Sequence, residues 1–328
     1  MLLAWPHAVS SIRIAKPMGT VHSLIETRGR QGALQQAIDD RERRAIEAAS
    51  AYMTDEQTDI AFLFSGWAHA ALPHRRIADD AVWRVETEHV TLLVEPGRKP
   101  LPGGENAWVG VPYGSRARLI MLYLQSEAIR TNSREVELGR SLSDWLIRLG
   151  IPLGGKSYKD VKEQAARISR CRLSFHIQAG NRSGLINQNI LDTAMFLDGG
   201  GNQGDLFVER AKLSDSFFEQ LKKHPVPIEE AAISAINNNS MALDVYCWLA
   251  YRLHSLTKAK PITWKALRVQ FSPNCKQMFH FRAAFKDNLA LALAVYPEAK
   301  VTETENGLML HPSLPPVAPK SQRLIGHR

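Results

Sequence analysis

The sequence predicts an α+β protein, mainly helical, with two tandem winged helix-turn-helix domains behind an N-terminal extension. The apolar spacing changes from helical to alternating after Arg170, in the order helix, strand, helix, turn, helix, hairpin. The same order of elements returns roughly 120 residues later. A hydrophobic content of 45% with 23% charged residues allows a sizeable buried core.

The N-terminal extension precedes the first repeat of this order. Residues 32–52 carry apolar groups at helical spacing, which predicts one helix. Residues 59–64 and 90–94 are typical of strands, and the prolines and glycines around them predict loops.

The first repeat begins with a dense apolar helix over 116–130 and a short strand over 135–138. Ser141 can accept a backbone N–H at the start of the next helix. Gly150 and Pro152 end that helix, because glycine adopts the left-handed cap and proline cannot continue the helix.

A basic helix follows this stop, and Ser157 with Asp160 predicts its cap. In a helix-turn-helix the second helix enters the major groove, where Lys and Arg reach phosphates and guanine. A hairpin tip can reach the minor groove. The candidate DNA-binding residues of this repeat are therefore Lys156, Ser157, Lys159, Lys162, Arg167, Arg170 and, at the hairpin tip, Arg182. A solvated charged face is the alternative.

The second repeat consists of a helix over 240–256, a strand over 260–262, a helix capped by Thr263, a long helix over 276–295 and a hairpin over 301–310. The candidate DNA-binding residues on the long helix are Lys276, His280, Arg282 and Lys286. Ala283 and Ala290 would let this helix approach the groove floor; their alternative role is packing against a neighbouring element. We therefore expect the second repeat to supply more sequence discrimination and the first more nonspecific affinity.

The charge and cysteine content narrow the class of protein. Lys and Arg outnumber Asp and Glu by 41 to 33, which favours a polyanionic partner without requiring one. Cys171, Cys247 and Cys275 form no C-x-x-C pair, so the sequence predicts no metal site and no disulfide framework. A cytoplasmic location fits these cysteines, and no apolar run is long enough to span a membrane.

Two short motifs match those of a dehydrogenase, but the elements around them are not those that a dehydrogenase requires. Tyr158 and Lys162 fit Y-x-x-x-K, and the glycines within 199–204 fit G-x-G-x-x-G. A dinucleotide loop must follow a strand and open a helix, whereas these glycines precede a strand-like segment. The sequence also lacks a nucleophile elbow and a Walker A loop. We therefore expect no catalytic residues, no cofactor and no enzymatic activity.

These signals divide the chain into five parts. We expect an N-terminal tail over 1–31, in which Met18 is a candidate start, and a first winged-helix domain with its extension over 32–198. The remaining parts are a Gly-rich linker over 199–204, a second winged-helix domain over 205–311 and a disordered tail over 312–328.

The residues of the first repeat also resemble a known family, that of the plasmid-encoded RepA replication initiators. The resemblance is carried by GVPYGSRARLIMLYLQSEAIRTNSREVELGRSLSDWLIRLGI with GGKSYKDVKEQAARISRCRL. It continues through LDVYCWLAYRLHSL and covers roughly residues 18–312, and MGTVHSLIE is similar to a family N-terminus.

The resemblance implies a plasmid replication initiator that performs no chemistry itself. Its implied partners are double-stranded origin DNA, bound at repeated sequences, and host replication initiator and helicase-loading proteins. It also allows a homodimer that represses its own promoter. Two alternatives stay open, namely a transcription regulator with two winged helices and no replication role, and an interaction module without DNA contact.

Overall fold

The structure is a computed structural model, and it describes residues 20–56, 59–88, 90–179, 182–193, 196–197, 206–207 and 209–318. Ten α-helices and fifteen short strands lie within these ranges. The mixed and mainly helical character expected from the sequence is thereby confirmed. The linker over 199–204 and Met18 lie outside the described residues.

The N-terminal extension contains two helices where the sequence predicted one. Helix α1 spans Thr20–Gln35 and helix α2 spans Asp40–Thr54. The Asp39 side chain accepts the backbone N–H of Glu42, and the Glu42 carboxylate accepts the backbone N–H of Ile38. This reciprocal cap starts a new helix and interrupts the predicted one.

A set of strands and a short 3₁₀ turn connect α2 to the first repeat. In chain order they are β1 (Ile60–Phe64), the turn Ser65–Ala68, β2 (Trp83–Glu86), β3 (Val90–Glu95), β4 (Gly97–Pro100) and β5 (Asn106–Gly110). Strands β4 and β5 form a hairpin of their own.

We call the segment from α3 to β8 the first unit. Its elements are α3 (Gly114–Thr131), β6 (Glu135–Glu137), α4 (Leu142–Arg148), α5 (Gly155–Arg170), β7 (Arg172–Ala179) and β8 (Arg182–Asn189). The predicted order of helices, strand and hairpin is present. The basic helix begins earlier than predicted, because its N-cap is Gly154, and Ser157 lies inside the first turn.

Short elements separate the two units. They are β9 (Phe196–Leu197), β10 (Leu206–Phe207), β11 (Arg210–Lys212), α6 (Asp215–Lys223), β12 (Pro225–Glu229) and α7 (Glu230–Ile236).

We call the segment from α8 to β15 the second unit. Its elements are α8 (Ser240–Leu253), β13 (Lys260–Thr263), α9 (Trp264–Phe271), α10 (Met278–Ala294), β14 (Val301–Thr304) and β15 (Gly307–Leu310). The three strands form one antiparallel sheet in the order β13-β15-β14.

The sheets of the first unit are arranged differently from those of the second. The β7–β8 hairpin joins the extension in an antiparallel sheet of order β2-β3-β7-β8, while β6 pairs with β11. Leu92 and Val94 of β3 lie opposite Phe175 and Leu173 of β7, and all four side chains are buried. The alternating apolar residues of β3 thus attach the hairpin to the extension instead of to β6.

The extension also joins the two units. Strand β1 pairs with β12, and α2 packs against both α7 and α10. One continuous apolar cluster includes residues from the extension and from both units. It contains Trp145, Phe175, Tyr246 and Phe285, which are fully buried.

The C-terminal segment is ordered further than the sequence predicted. The Tyr296 hydroxyl donates to the carbonyl of Leu314 over 2.7 Å, and the Ser313 hydroxyl accepts the backbone N–H of Lys300 over 3.0 Å. Val317 is buried. Residues 312–318 therefore pack on the second unit, and the remainder of the predicted tail lies outside the described residues.

Candidate nucleic-acid interface

Helix α10 presents two different halves. Its C-terminal half from Leu289 onward is buried, since α2 and α8 pack around it. In the first half only Phe281 and Phe285 are fully buried, and the residues between them are exposed. The free surface of the helix is therefore its N-terminal half, the part that contacts bases in helix-turn-helix proteins.

The predicted contacts on α10 lie around this surface. Lys276, His280 and Arg282 are exposed and make no ion pair within the described part of the chain. Ala283 is exposed as expected, whereas Ala290 is only 2% exposed and packs in the core. The packing alternative therefore holds for Ala290, which cannot contact DNA.

Phe279 is the residue of this surface that the sequence did not single out. Its side chain is 78% exposed, and its ring lies 5.6 Å from the ring of His280. Exposing a phenylalanine forgoes the free energy that its burial would contribute. The sequence feature that could have identified Phe279 was an aromatic residue next to, but outside, the buried stripe of Phe281 and Phe285.

The Trp264 ring makes cation–π contacts with two cations of α10. The Arg282 guanidinium lies 5.6 Å from the Trp264 ring centroid and the Lys286 ammonium 5.7 Å. Lys286 also forms an ion pair with Glu303 of β14. Lys286 is thus less available to a ligand than expected, while Arg282 remains exposed.

The loop before α10 is held by a second arginine. Arg268 of α9 donates to the carbonyls of Cys275 and Lys276, over 3.4 Å and 3.3 Å. These contacts fix the backbone from which the Lys276 side chain extends.

The hairpin of the second unit carries acidic groups. Glu303 and Glu305 are exposed at and near its turn. Like charges repel phosphate, so this hairpin does not extend the positive surface of α10.

Among the predicted contacts of the first unit whose side chains the structure describes, the exposed cations lie at the start of α5. Lys156 and Lys159 are exposed and have no ion pair within the described residues. Ser157 is half-buried, and the Tyr158 hydroxyl is hydrogen-bonded to the Ser143 hydroxyl of α4 over 3.0 Å. That contact joins α4 to α5.

The prediction for Arg167 is wrong. Its side chain is 3% exposed and lies 2.8 Å from the Asp79 carboxylate and 2.9 Å from that of Glu163. It also donates to the carbonyl of Val111. A guanidinium enclosed in this way cannot reach a phosphate, so Arg167 is a structural residue.

The contact with Arg167 also affects the pKa of the Asp79 carboxylate. Burial acts to raise its pKa, but hydrogen bonds from Arg76 and Arg167 outweigh that effect and lower the pKa. Asp79 therefore stays ionised and neutralises the buried arginine.

Two of the remaining predicted contacts of the first unit, Lys162 and Arg170, are less exposed than Lys159. Lys162 and Arg170 are half-buried, and each has a further interaction with the protein. Arg182 begins β8, while its side chain and the hairpin tip at 180–181 lie outside the described residues.

A buried ion pair joins the first unit to the second. Arg118 of α3 binds both carboxylate oxygens of Asp244 of α8, over 2.7 Å and 2.6 Å. His74 lies against this pair, and burial, followed by the charge of Arg118, lowers its pKa to about 4. His74 is therefore neutral near pH 7, with Nε2 donating to the carbonyl of Phe271 over 2.7 Å.

The described ranges contain neither a candidate membrane span nor a candidate metal cluster. None of the helices there combines the length and hydropathy needed to cross a bilayer. The same ranges contain no group of three or more His, Cys, Asp or Glu side chains arranged to hold a metal ion.

Part of the chain matches a family model of known proteins. Residues 111–266 match the family model described as plasmid encoded RepA protein, which confirms the resemblance found in the sequence. The match runs from the start of the first unit into α9 and ends before α10. It supports a role in the initiation of plasmid replication. No curated protein matches the chain.

Two solved structures are distantly similar. A selenomethionine derivative of domains 2 and 3 of RctB has a TM-score of 0.45 at 11% identity, covering 78% of this chain and 99% of that one. A structure of RctB domains 2-3 has a TM-score of 0.43 at 11% identity, covering 75% of this chain and 94% of that one. Values this low leave both as distant likenesses only.

Proposed function

We propose that this chain, whose residues 111–266 match the family model described as plasmid encoded RepA protein, initiates plasmid replication by binding repeated double-stranded DNA at the origin. It acts by binding and carries out no chemistry itself. The observation that carries the proposal is the exposed N-terminal half of α10, with Lys276, Phe279, His280 and Arg282 at its surface.

The second unit fits a winged helix. Its elements follow the order helix, strand, helix, helix, hairpin, and its first strand pairs with the last one. In such a domain the start of the third helix meets the base edges of the major groove. Arg282 can then donate to guanine, and the ring of Phe279 or the methyl group of Ala283 can contact a thymine methyl.

The first unit supplies phosphate contacts from the start of α5. Lys156 and Lys159 are point charges that neutralise phosphates without sequence preference. Because Arg167 is buried, α5 has fewer phosphate contacts than its charge pattern indicated. In this proposal α10 supplies the sequence discrimination.

Initiation also requires partners beyond DNA. In this proposal the bound chain recruits host replication initiator and helicase-loading proteins, and a homodimer of it represses its own promoter. It acts in the bacterial cytoplasm, where the origin lies.

The test uses the DNA flanking the chain's own gene. A plasmid lacking any other origin should be maintained when it carries this DNA and the chain is expressed. Removing the footprinted repeats should abolish maintenance. Binding and promoter repression without maintenance would favour the transcription regulator, and absence of any footprint would reject the proposal.

A further inference from the structure

The β4–β5 hairpin protrudes beside the basic helix of the first unit. Among the described strands, β4 and β5 pair only with each other, and neither extends a larger sheet. Residues 98 and 100–106 are exposed, including the turn that joins the two strands. The hairpin therefore offers a narrow ribbon whose turn and one face are exposed.

Two glycines hold the base of this ribbon against α5. A Cβ at Gly97 would overlap the backbone carbonyl of Arg170, and a Cβ at Gly110 would overlap the guanidinium of Arg167. Gly110 also has a φ of 82°, which favours glycine. Close backbone approach at both strands fixes the hairpin to the helix that carries Lys159.

The ribbon carries an ordered arginine on an exposed tryptophan. Arg98 and Trp108 are cross-strand partners, and the guanidinium lies 3.9 Å from the ring centroid. Trp108 is 40% exposed. The cation–π contact restrains a guanidinium that stays exposed, and a restrained guanidinium can bind a phosphate with several N–H donors.

The charges of the ribbon have no ion-pair partner among the residues that the structure describes. Arg98 is exposed, whereas its neighbour Lys99 is half-buried on the opposite face of the strand. Neither makes an ion pair with a described residue. The one acidic residue among residues 97–110 is Glu105, which lies in the turn. Two unpaired cations next to a basic helix complement a phosphate backbone better than an acidic or apolar protein surface.

We infer that the β4–β5 hairpin is a second DNA-contacting element of the first unit, in which Arg98 and Lys99 bind phosphates flanking the groove approached by α5. Trp108 is a positioning residue that holds Arg98. The inference rests on the proposed DNA binding and goes beyond it, because the sequence assigned the flanking contact to the β7–β8 hairpin and gave the β4–β5 segment no role.

The test removes the two charges together. Arg98→Gln with Lys99→Gln should lower the salt slope of log K by about 1.8, the contribution of two phosphate contacts. Hydroxyl-radical footprinting should show lost protection only at the flank of the site nearest the first unit. Trp108→Ala should lower the slope by up to about 1, and Trp108→Phe should restore it because a ring remains under the guanidinium.

A matched control removes the same two charges elsewhere. Arg43→Gln with Lys223→Gln replaces one exposed Arg and one exposed Lys on α2 and α6, and should leave slope and footprint unchanged. Circular dichroism first checks that all variants unfold at the same temperature, so that a change in slope is not caused by unfolding.

Each other outcome overturns the inference. A folded hairpin variant with the parental slope and footprint would exclude the contact. An equal loss in the control would assign the effect to net charge. If the parent binds the flanking DNA but the hairpin variant loses only a protein partner, the ribbon is a protein-docking site. If the parent binds no DNA at all, the proposed function fails together with the inference.

Discussion

Replacing Arg118 with Met should strongly destabilise the connection between the two units. The side chains of Arg118 and Asp244 are 9% and 14% exposed, so water screens the pair little. Arg118 also donates to the carbonyls of Leu72, Pro73 and Gly114. Met fills the volume of the arginine stem but leaves the carboxylate and three carbonyls without this donor.

The cost follows from the charge left behind. Breaking a buried pair by removing one partner costs about 3–5 kcal/mol, because the other charge stays buried. For a domain of this size class, that corresponds to a fall in Tm of roughly 10 °C. Among the described residues, the other basic side chain within 4 Å of Asp244 is His74, whose Nδ1 lies 3.8 Å away. Burial, the largest cause of its lowered pKa, persists in the variant.

Thermal and urea unfolding measure this cost, and the same helix provides a control. Arg116→Met removes an arginine whose polar contact is a 3.4 Å hydrogen bond to Asn238, so it should cost less than about 1 kcal/mol. Adding Asp244→Leu to Arg118→Met should recover about 2 kcal/mol, since no buried charge then remains. The reasoning would be refuted if the Tm of Arg118→Met lay within 2 °C of the parental Tm (about 0.5–1 kcal/mol). It would also be refuted if the double variant lost the sum of the stabilities lost by the two single variants.

Three further predictions concern single elements. Phe279→Ala and His280→Ala should each reduce the preference for repeat DNA over random DNA by about 1–3 kcal/mol in competition binding, and an unchanged preference in a folded variant would contradict the role of α10. Lys159→Gln should lower the salt slope by about 1, while Arg167→Gln should lower Tm instead; a reversed pattern would restore Arg167 as a contact. His74 has a folded pKa of about 4, below its usual value of 6.5, so the unfolded chain binds more protons between these values. Its stability contribution is present above pH 6.5 and falls by about 3 kcal/mol toward pH 4, and His74→Gln should flatten this part of the curve.

The helices and hairpins of both units could be predicted because their signals are local. Caps such as Ser141, the stop at Gly150 and the change of apolar period depend on residues close in sequence. The Asp39–Glu42 cap was equally local, and the apolar spacing across it concealed the break.

The failures have a different physical origin, because they depend on partners distant in the chain. Arg167 has the same sequence context as Lys159, yet it faces Asp79, which lies 88 residues away. The pairing of β6 with β11 likewise joins distant segments. Local pattern shows which residues could be exposed, and tertiary contacts decide which are.

The surface of α10 could be predicted in part. Charge identified Lys276, His280 and Arg282, and helical spacing identified the buried stripe. Phe279 was missed because the contacts were predicted from charge and from small side chains, which gave an aromatic residue outside the buried stripe no role. Ala290 was misplaced because α2 packs on the C-terminal half of the helix.

The central claim is that the exposed half of α10 reads duplex DNA beside the chain's own gene. Quantitative footprinting of that DNA at 0.15 M salt (a screening length of about 8 Å), with the parent and with the combined variant Phe279→Ala and His280→Ala, tests it most directly. We predict that the parent protects repeated sequences and that the folded variant loses this protection while keeping weak, salt-sensitive binding. Equal protection by parent and variant, or no protection by either, would contradict the claim.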